Sequence, residues 1–459
     1  MSVFKTYDIR GVYGVDIDTE LSYRIGRAFA RFMKVHSLSE KQHSCLVGHD
    51  ARIHSREMYQ AFINGLVEEG TTVYGLGLTS TPALHYLQVY RRLSAGVMVT
   101  ASHNPPQYHG FKLFDGAGGS VSYRNGLDRI EQEVAKLGQG ASRDFSGAAP
   151  HGNLFSEVPE VSEYMDFLCA ASRGETYPLK LVVDGSNGSA GAVFSELIKR
   201  LRLKAVLING DADGRFPNHS PNPLEEQSRR FAGSRVREEG ADMGVLLDGD
   251  GDRVIFLDEA GRSVESYFIA VLIGEQLLKE HPGSAIVYDL ISSRVLPEEI
   301  ERMGGRPIVS RVGYTFLHET MVKSKAVFGS ETSGHAYFRV SDDYYTESAA
   351  YALIMLLKTL RGRAETLSEL VAPLRERYAQ APEMNLEVED KDRALRLIEE
   401  QFSGGRVSRL DGISIEFEDF WFNARPSNTE PVLRLRLEAR TQDTALRRIE
   451  EIIRLVQNR

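Results

Sequence analysis

The sequence is poor in cysteine and lacks any long apolar run. Only two cysteines, Cys45 and Cys169, occur in 459 residues, and their spacing matches no metal-binding or redox motif. This scarcity predicts a disulfide-free protein of the cytoplasm. No run approaches the roughly 20 apolar residues that a membrane span needs, and the first residues, MSVFK, lack the apolar core of a signal peptide. We therefore expect no membrane partner.

The chain also lacks an excess of basic residues. Its 55 lysines and arginines face 64 aspartates and glutamates, so the formal net charge is −9. This balance argues against a dedicated nucleic-acid partner and against binding to an anionic membrane. A negatively charged substrate would therefore need basic side chains placed locally around its site.

The length is too great for one hydrophobic core, and the pattern alternates strands with amphipathic helices. Residues 19–33 carry apolar side chains at helical spacing, and residues 44–48 have the pattern of a buried strand. A linker rich in glycine and serine at about 138–156 and a polar stretch near 374–383 mark boundaries. We predict three or four domains with α/β character, and the tail from residue 383 to 459 is large enough for a small α+β domain.

A serine stands where a predicted strand gives way to a loop. The apolar run at 97–99 leads through Thr100 and Ala101 to Ser102 and His103, and two prolines then stop any helix. The ends of strands are where open α/β sheets build active sites. The G-x-S-x-G motif of an acyl-transfer serine is absent. A turn in which the hydroxyl caps backbone groups is an equally good interpretation of this segment alone.

An acidic loop lies near the middle of the chain. Asp248, Asp250 and Asp252 alternate with glycines, a pattern that suits wrapping one hard cation. An EF-hand calcium loop is the obvious competitor, but Arg253 stands where that loop needs glycine, and both flanks read as strands. Three carboxylates so close repel one another strongly without a cation. We predict a metal site between two strands, with a solvated acidic turn as the other possibility.

Two further loops are polar. The run GSETSGH at 329–335 offers Glu331 and Ser333 to sugar hydroxyls, while His335 could donate to a phosphate or shuttle a proton. The run RPSNTEP at 425–431 combines one arginine with hydroxyl and amide donors and suits a phosphate. Taken singly, a surface loop and a polar hairpin turn explain these two runs at least as well.

Together the four runs resemble the motifs of the α-D-phosphohexomutase family. TASHNP at 100–105, DGDGDR at 248–253, ETSGH at 331–335 and RPSNT at 425–429 occur in order and divide the chain into quarters. The opening run FKTYDIRG, at 4–11, resembles the bacterial phosphomannomutase/phosphoglucomutase branch in particular. The resemblance covers essentially the whole chain.

The resemblance implies a fold and a reaction. The fold is α/β, with four domains around a central cleft: three similar units with mixed sheets and a smaller, mobile C-terminal α+β domain. Their expected bounds are 1–150, 151–257, 258–375 and 376–459. The reaction is reversible phosphoryl transfer between C6 and C1 of a hexose phosphate in carbohydrate metabolism, with mannose phosphates and also glucose phosphates as substrates. Ser102 would carry the phosphoryl group, and a bound glucose or mannose 1,6-bisphosphate would be intermediate and activator. One Mg²⁺ would be held by Ser102, Asp248, Asp250 and Asp252.

The resemblance also assigns roles to side chains. Proton transfer and charge stabilisation would fall to His103, Lys112, Arg253 and His335. Glu331 and Ser333 would bind sugar hydroxyls, and the phosphate that is not reacting would be held by Arg425, Ser427, Asn428 and Thr429. Tyr7 and Arg10 match positions that line the cleft, and Tyr314 lies in the domain that reads the sugar.

Three positions depart from the family pattern. Ile291 stands where dual-specificity relatives carry a lysine near the substrate phosphate, Tyr314 replaces a histidine of one such relative, and His49 stands where arginine is common. The first two bear on substrate preference and leave the reaction type unaffected.

Other functions compete with this interpretation. A phosphoglucosamine mutase is one, although those enzymes typically open with a different run containing Gly-Thr-Asp. A phosphatase in which water intercepts the phosphoserine is another, since it could use the same residues if the cleft admitted water. A sugar-phosphate binding protein without activity would show decay at Ser102 or in the aspartates, and both are intact.

Overall fold

The protein was analysed as a computed structural model, which describes residues 2–36, 43–138, 154–159, 161–342, 344–426 and 432–457. The chain forms two compact units. Unit 1 comprises Met1–Val264 and Ser333–Arg363, and unit 2 comprises Glu265–Thr332 and Ala364–Arg459. Within the described ranges, no helix combines the length and apolar character needed to cross a membrane.

Unit 1 begins with a six-stranded mixed sheet of order β1-β5-β4-β2-β3-β6. The strands β2, β3, β4 and β6 pair in parallel, and β5 pairs antiparallel with β1 and β4. A single π-helical turn precedes the last helix. The elements are β1 (Ile9–Val12), α1 (Thr19–His36), β2 (Ser44–His49), α2 (Ser55–Glu68), β3 (Thr72–Leu78), α3 (Thr81–Tyr90), β4 (Ala95–Val99), β5 (Tyr108–Asp115), α4 (Asp128–Leu137) and β6 (Phe155–Glu157).

A second mixed sheet of unit 1 has the order β11-β10-β9-β7-β8. Its strands β7, β8 and β9 pair in parallel, and β10 pairs antiparallel with β9 and β11. The elements are α5 (Ser162–Ala171), β7 (Lys180–Asp184), α6 (Gly191–Arg200), β8 (Lys204–Ile208), α7 (Glu226–Glu239), β9 (Met243–Leu247), β10 (Val254–Leu257) and β11 (Ser263–Val264).

The third stretch of the chain is divided between the units. In unit 2, β12 pairs in parallel with β13 and β14, and the elements are α8 (Ser266–Glu280), β12 (Ala285–Asp289), α9 (Val295–Arg302), β13 (Arg306–Ser310), α10 (Tyr314–Ser324) and β14 (Phe328–Ser330). In unit 1, an antiparallel hairpin is followed by a helix. These are β15 (Ala336–Arg339), β16 (Tyr345–Glu347) and α11 (Ala349–Leu360).

The C-terminal stretch of unit 2 is an antiparallel sheet with helices, of order β17-β22-β21-β20-β19, with β18 also paired to β22. Its core includes Phe422, Leu435 and Ile452. The elements are α12 (Leu367–Arg375), β17 (Ala379–Gln380), β18 (Met384–Glu387), α13 (Lys391–Gln401), β19 (Arg406–Ser408), β20 (Ile413–Glu416), β21 (Phe420–Pro426), β22 (Val432–Ala439) and α14 (Gln442–Gln457).

The hydrophobic pattern explains which strands are central. Every residue of β4 and β9 is buried, as expected for parallel strands covered on both faces. The helix α1 contributes Ile25 and Phe29 to the core beneath the first sheet, so its apolar face lies where the spacing predicts. The predicted α/β class, with mixed sheets and a smaller C-terminal α+β region, is confirmed. The predicted linker at 138–156 lies mostly outside the described residues.

Candidate active site

Ser102 lies three residues beyond the end of β4 in a left-handed backbone conformation, with φ of 51°. Non-glycine residues seldom adopt this conformation, and those that do are concentrated at functional sites. The Ser102 amide donates to Thr100 Oγ1 over 2.8 Å. The Ser102 hydroxyl lies 3.2 Å from His103 Nδ1 and donates to Asp248 Oδ2 over 3.0 Å. The turn thus directs the hydroxyl at the acidic loop of the second sheet.

The acidic loop joins the antiparallel strands β9 and β10, as predicted, so the helical flanks of an EF-hand are absent from this described part of the chain. Asp248, Asp250 and Asp252 are buried, and one carboxylate oxygen from each lies within 4.8 Å of the others. Gly249 allows a close approach, because a Cβ there would stand 2.6 Å from the Ser102 carbonyl oxygen. The glycine therefore lets the two loops touch.

Lys112 on β5 contacts two of the three aspartates. Its Nζ lies 2.7 Å from Asp250 Oδ2 and also forms an ion pair with Asp252 Oδ2. Burial works against ionisation of Asp252, but Lys112 and His335 outweigh it and hold the pKa of Asp252 well below its usual value. Burial and the other two aspartates raise the pKa of Asp248 well above its usual value. The carboxylates therefore differ in their affinity for a proton.

Arg253 and His335, which directly precede β10 and β15, lie side by side at the acidic loop. Arg253 forms an isolated antiparallel bridge with His335, and the Val254 amide donates to the Gly334 carbonyl over 3.1 Å. His335 Nε2 consequently lies 3.1 Å from Arg253 Nε and 3.2 Å from Asp252 Oδ1. Ser333 Oγ lies 3.2 Å from His335 Nδ1. Backbone pairing within unit 1 therefore brings this part of the third motif to the acidic loop.

The donor set fits a divalent cation. Three buried carboxylates converge, and the structure gives Asp250 Oδ1 no hydrogen-bond partner among the residues it describes. Oxygen ligands of this kind suit Mg²⁺, and a cation would relieve both the repulsion and the orphaned oxygen.

Arg10, in the opening run, lies beside the Ser102 loop. Arg10 Nη1 donates to Asn104 Oδ1 over 2.6 Å, and its other terminal nitrogen pairs with Asp8. Tyr7 precedes β1 and is partly exposed. His103 is desolvated, and this effect together with Arg253 and Arg10 lowers its pKa well below the usual value. His103 therefore stays neutral near pH 7.

The remaining predicted residues belong to unit 2. Glu331 is buried, and its Oε1 accepts a hydrogen bond from the Gly313 amide over 3.0 Å, just before Tyr314 begins α10. Arg425 lies in β21, where burial lowers its pKa, and its Nη1 has no hydrogen-bond partner in the described parts of the chain. Ser427, Asn428 and Thr429 lie outside the described residues.

Four family models match successive stretches of the chain. They describe the phosphoglucomutase/phosphomannomutase α/β/α domains I, II and III over residues 1–141, 162–261 and 265–378, and the C-terminal domain over residues 383–455. The chain belongs to this family. It is therefore an enzyme, a phosphohexomutase of the isomerase class, as the sequence resemblance predicts.

Individual relatives agree with this membership. The chain is 34% identical to a phosphomannomutase of Vibrio cholerae over 99% of this chain and 98% of the relative. It is 36% identical to a phosphomannomutase of Methanocaldococcus jannaschii, again over 99% and 98%. Among solved structures, a phosphoglucomutase/phosphomannomutase family protein of Burkholderia thailandensis superposes with a TM-score of 0.88 at 28% identity, covering 99% and 97% of the two chains.

A buried arginine, which the sequence motifs do not predict, holds the serine loop of this phosphohexomutase. The buried guanidinium of Arg52 pairs with Asp50 Oδ2 over 3.1 Å. It also donates over 2.6–3.0 Å to the carbonyl oxygens of Ser102, Asn104, Pro105 and Tyr108. A signal was available, because Asp50 and Arg52 directly follow β2, the parallel neighbour of β4. Carboxyl ends of parallel strands meet at one edge of a sheet.

Proposed function

We propose that this phosphohexomutase interconverts the 6-phosphate and 1-phosphate of mannose, and also of glucose, through a phosphorylated Ser102. In the forward direction the phosphoryl group leaves Ser102 Oγ for O1 of the hexose 6-phosphate. The Oγ–P bond breaks, a P–O1 bond forms, and the proton of the 1-hydroxyl passes to a protein base. The resulting 1,6-bisphosphate then reorients within the site, so that its 6-phosphate faces Ser102. Ser102 Oγ then takes the phosphoryl group from O6, which regains a proton.

The position of Ser102 supports this proposal most directly. Its hydroxyl lies 3.0 Å from Asp248 Oδ2, and its backbone is fixed in a left-handed turn. In phosphoryl transfer, catalysis comes mainly from positioning and from stabilising charge on the transferring group. A serine held rigidly beside three carboxylates and several cationic side chains suits both requirements.

The surrounding side chains offer proton carriers and positive charge. Lys112 and His335 contact the aspartates, and His103 contacts Ser102 itself. We assign proton transfer at the sugar hydroxyl to this trio. Arg253, beside His335, would stabilise charge on the transferring phosphoryl group.

The cofactor proposed for this reaction is one Mg²⁺ ion. The family depends on Mg²⁺, and Asp248, Asp250 and Asp252 with the phosphate of Ser102 would hold it. When bound, the ion would neutralise negative charge on the phosphoryl group. A hexose 1,6-bisphosphate, of glucose or of mannose, would restore the phosphoserine whenever the intermediate escapes.

Unit 2 would recognise the substrate. Glu331 and Ser333 would bind sugar hydroxyls, and Arg425 with Ser427, Asn428 and Thr429 would hold the distal phosphate. Arg425 Nη1, which has no hydrogen-bond partner among the residues that the structure describes, would suit such an anion. Tyr7 and Arg10 complete the proposed substrate contacts, and Tyr314 adds one near the sugar. Both relatives named above carry the name phosphomannomutase, which supports mannose phosphate as a substrate.

The cellular setting and domain limits are also proposals. Two free thiols, Cys45 and Cys169, support a cytoplasmic location. We retain functional domains of 1–150, 151–257, 258–375 and 376–459. They would carry the phosphoserine, metal-binding, sugar-binding and phosphate-binding loops, in that order.

A coupled mutase assay tests the function. Mannose 1-phosphate and glucose 1-phosphate are supplied separately with Mg²⁺ and a trace of glucose 1,6-bisphosphate. Turnover of both should fall about a thousandfold or more in Ser102→Ala, while Ser156→Ala, on the exposed edge strand β6, should match the wild type.

Other results would redirect the assignment. Turnover of one sugar alone would mean that Ile291 and Tyr314 mark a narrowed sugar site. Release of free phosphate without isomerisation would indicate a phosphatase. No turnover of either sugar despite a phosphorylated Ser102 would contradict the substrate assignment and favour glucosamine phosphate. Full activity of Ser102→Ala would contradict the mechanism.

A further inference from the structure

Glu347 is a buried carboxylate to which the proposed chemistry gives no task. It ends β16 and is 6% exposed. Its Oε2 atom is enclosed without a hydrogen-bond partner among the described residues. Buried polar groups are nearly always satisfied, so an orphaned carboxylate oxygen in a native fold calls for an explanation.

Glu347 lies against the acidic loop. One of its carboxylate oxygens, a ring nitrogen of His335 and a carboxylate oxygen of Asp252 lie within 4.8 Å of one another. Burial, together with the charge of Asp252, raises the pKa of Glu347 to about 7, and His335 and Lys112 oppose that shift. Lys112 pairs with the same Asp252, so the ammonium and the Glu347 carboxylate both lie beside that residue.

Lys112 contacts two of the three carboxylates that would hold a metal ion. The Lys112 ammonium contacts Oδ2 of Asp250 and Oδ2 of Asp252. A divalent ion held by the aspartates would place a second positive charge beside that ammonium, in a buried site where charges interact strongly. Unless Lys112 can move to another acceptor, its charge must weaken metal binding.

We propose that Glu347 is that acceptor: it receives the Lys112 ammonium when the metal binds and so positions Lys112 beside Ser102. The inference rests on the proposed function, which places the metal on the three aspartates. The nearby His335 is a poor alternative acceptor, because its Nε2 already faces Arg253. A second metal ion on Asp252, His335 and Glu347 is disfavoured by the two cationic side chains, Lys112 and Arg253, that stand there.

Metal affinity tests the proposal without relying on activity. Mg²⁺ binding to the substrate-free protein is measured by titration calorimetry, with Mn²⁺ and electron paramagnetic resonance as a second readout. Glu347→Gln keeps the shape of the side chain and should bind Mg²⁺ about tenfold more weakly, a change of about 1.4 kcal/mol. Lys112→Met should bind Mg²⁺ more tightly than the wild type. In the Lys112→Met background, Glu347→Gln should have no further effect.

A matched control removes the same charge elsewhere in unit 1. Glu133→Gln removes the acidic partner of Lys136 on α4 and should leave the Mg²⁺ affinity unchanged. Thermal unfolding monitors the fold of each variant. Glu347→Gln should be at least as stable as the wild type, because it replaces an orphaned buried carboxylate with a neutral side chain.

Four results would overturn the proposal, each for a different reason. Equal affinity of wild type and Glu347→Gln would show that Glu347 does not assist metal binding. An equal loss in the Lys112→Met background would show that Glu347 acts on the ion by its charge alone. Two bound ions in the wild type and one in Glu347→Gln would assign Glu347 to a second metal site. No metal binding by the wild type would overturn the proposed metal site itself.

Discussion

Replacing Arg52 by lysine tests how the enzyme holds its Ser102 loop. The Arg52 guanidinium makes four hydrogen bonds of 2.6–3.0 Å to carbonyl oxygens of the loop and one of 3.1 Å to Asp50. Its side chain is fully buried. A lysine ammonium has three donors on a compact head and cannot span these acceptors. At least two of the five bonds must therefore be lost.

The expected magnitude follows from those bonds. A hydrogen bond to a charged group contributes about 1.5–3 kcal/mol, so losing two predicts a decrease of about 3 kcal/mol or more in the free energy of unfolding. The loop would also shift, and a misplacement of about 1 Å can reduce a rate by about a hundredfold. We expect kcat of Arg52→Lys to fall by about that factor, because Ser102 lies on the loop that Arg52 holds.

Urea unfolding and steady-state mutase kinetics measure the two effects. The control is Arg56→Lys, an exposed position on α2, which should change the free energy of unfolding by no more than about 0.5 kcal/mol. The reasoning would be refuted if Arg52→Lys matched this control in both stability and kcat.

Three further predictions concern other parts of the molecule. Burial lowers the pKa of His109 to about 4. The neutral ring of His109 therefore stabilises the fold fully above its unfolded pKa of about 6.5, and up to about 3 kcal/mol of that stability is lost as the pH falls toward 4. In urea unfolding, His109→Gln should lose less stability than the wild type between pH 7 and 4, by up to that amount. In Gly249→Ala the new Cβ would stand 2.6 Å from the Ser102 carbonyl oxygen. We expect the free energy of unfolding to fall by about 1–3 kcal/mol and mutase turnover to be lost. The control Gly404→Ala, where the atom nearest to the new Cβ is at 3.8 Å, should retain both stability and turnover. Glu438 accepts hydrogen bonds from the only tryptophan, Trp421, and from the Arg294 amide. Glu438→Ala should therefore shift the tryptophan fluorescence emission and lower the free energy of unfolding by about 3 kcal/mol. Unchanged emission would contradict the Trp421 contact.

The ends of predicted strands located most of the site residues that could be predicted from the sequence. The serine follows β4 and the aspartates follow β9, both fully buried strands with obvious apolar runs. The two strands belong to different sheets, so their apolar patterns alone do not predict that Ser102 Oγ lies 3.0 Å from Asp248 Oδ2. Only the family resemblance predicted that Ser102 and the aspartates belong to one site.

Contacts between distant, ordinary-looking residues could not be predicted in the same way. Arg52 precedes the carbonyl groups that it binds by 50 residues or more. Its place after β2 puts it at the sheet edge where Ser102 lies, but no sequence pattern says which backbone groups its guanidinium binds. The place of Glu347 in the site could not be predicted for another reason. The apolar run that follows it predicts a helix from about residue 346, which would include Glu347. The structure ends a strand at Glu347 and begins α11 at Ala349, which leaves the carboxylate in the sheet.

The phosphorylation state of Ser102 tests the central claim most directly. Purified wild-type enzyme would be incubated with glucose 1,6-bisphosphate and Mg²⁺, digested and mapped by mass spectrometry, before and after excess mannose 6-phosphate. The mechanism predicts one phosphoryl group on the peptide that contains Ser102, its loss on adding mannose 6-phosphate, and the appearance of mannose 1,6-bisphosphate. A phosphoryl group on another residue, or an unmodified Ser102 in an enzyme that turns over normally, would contradict it.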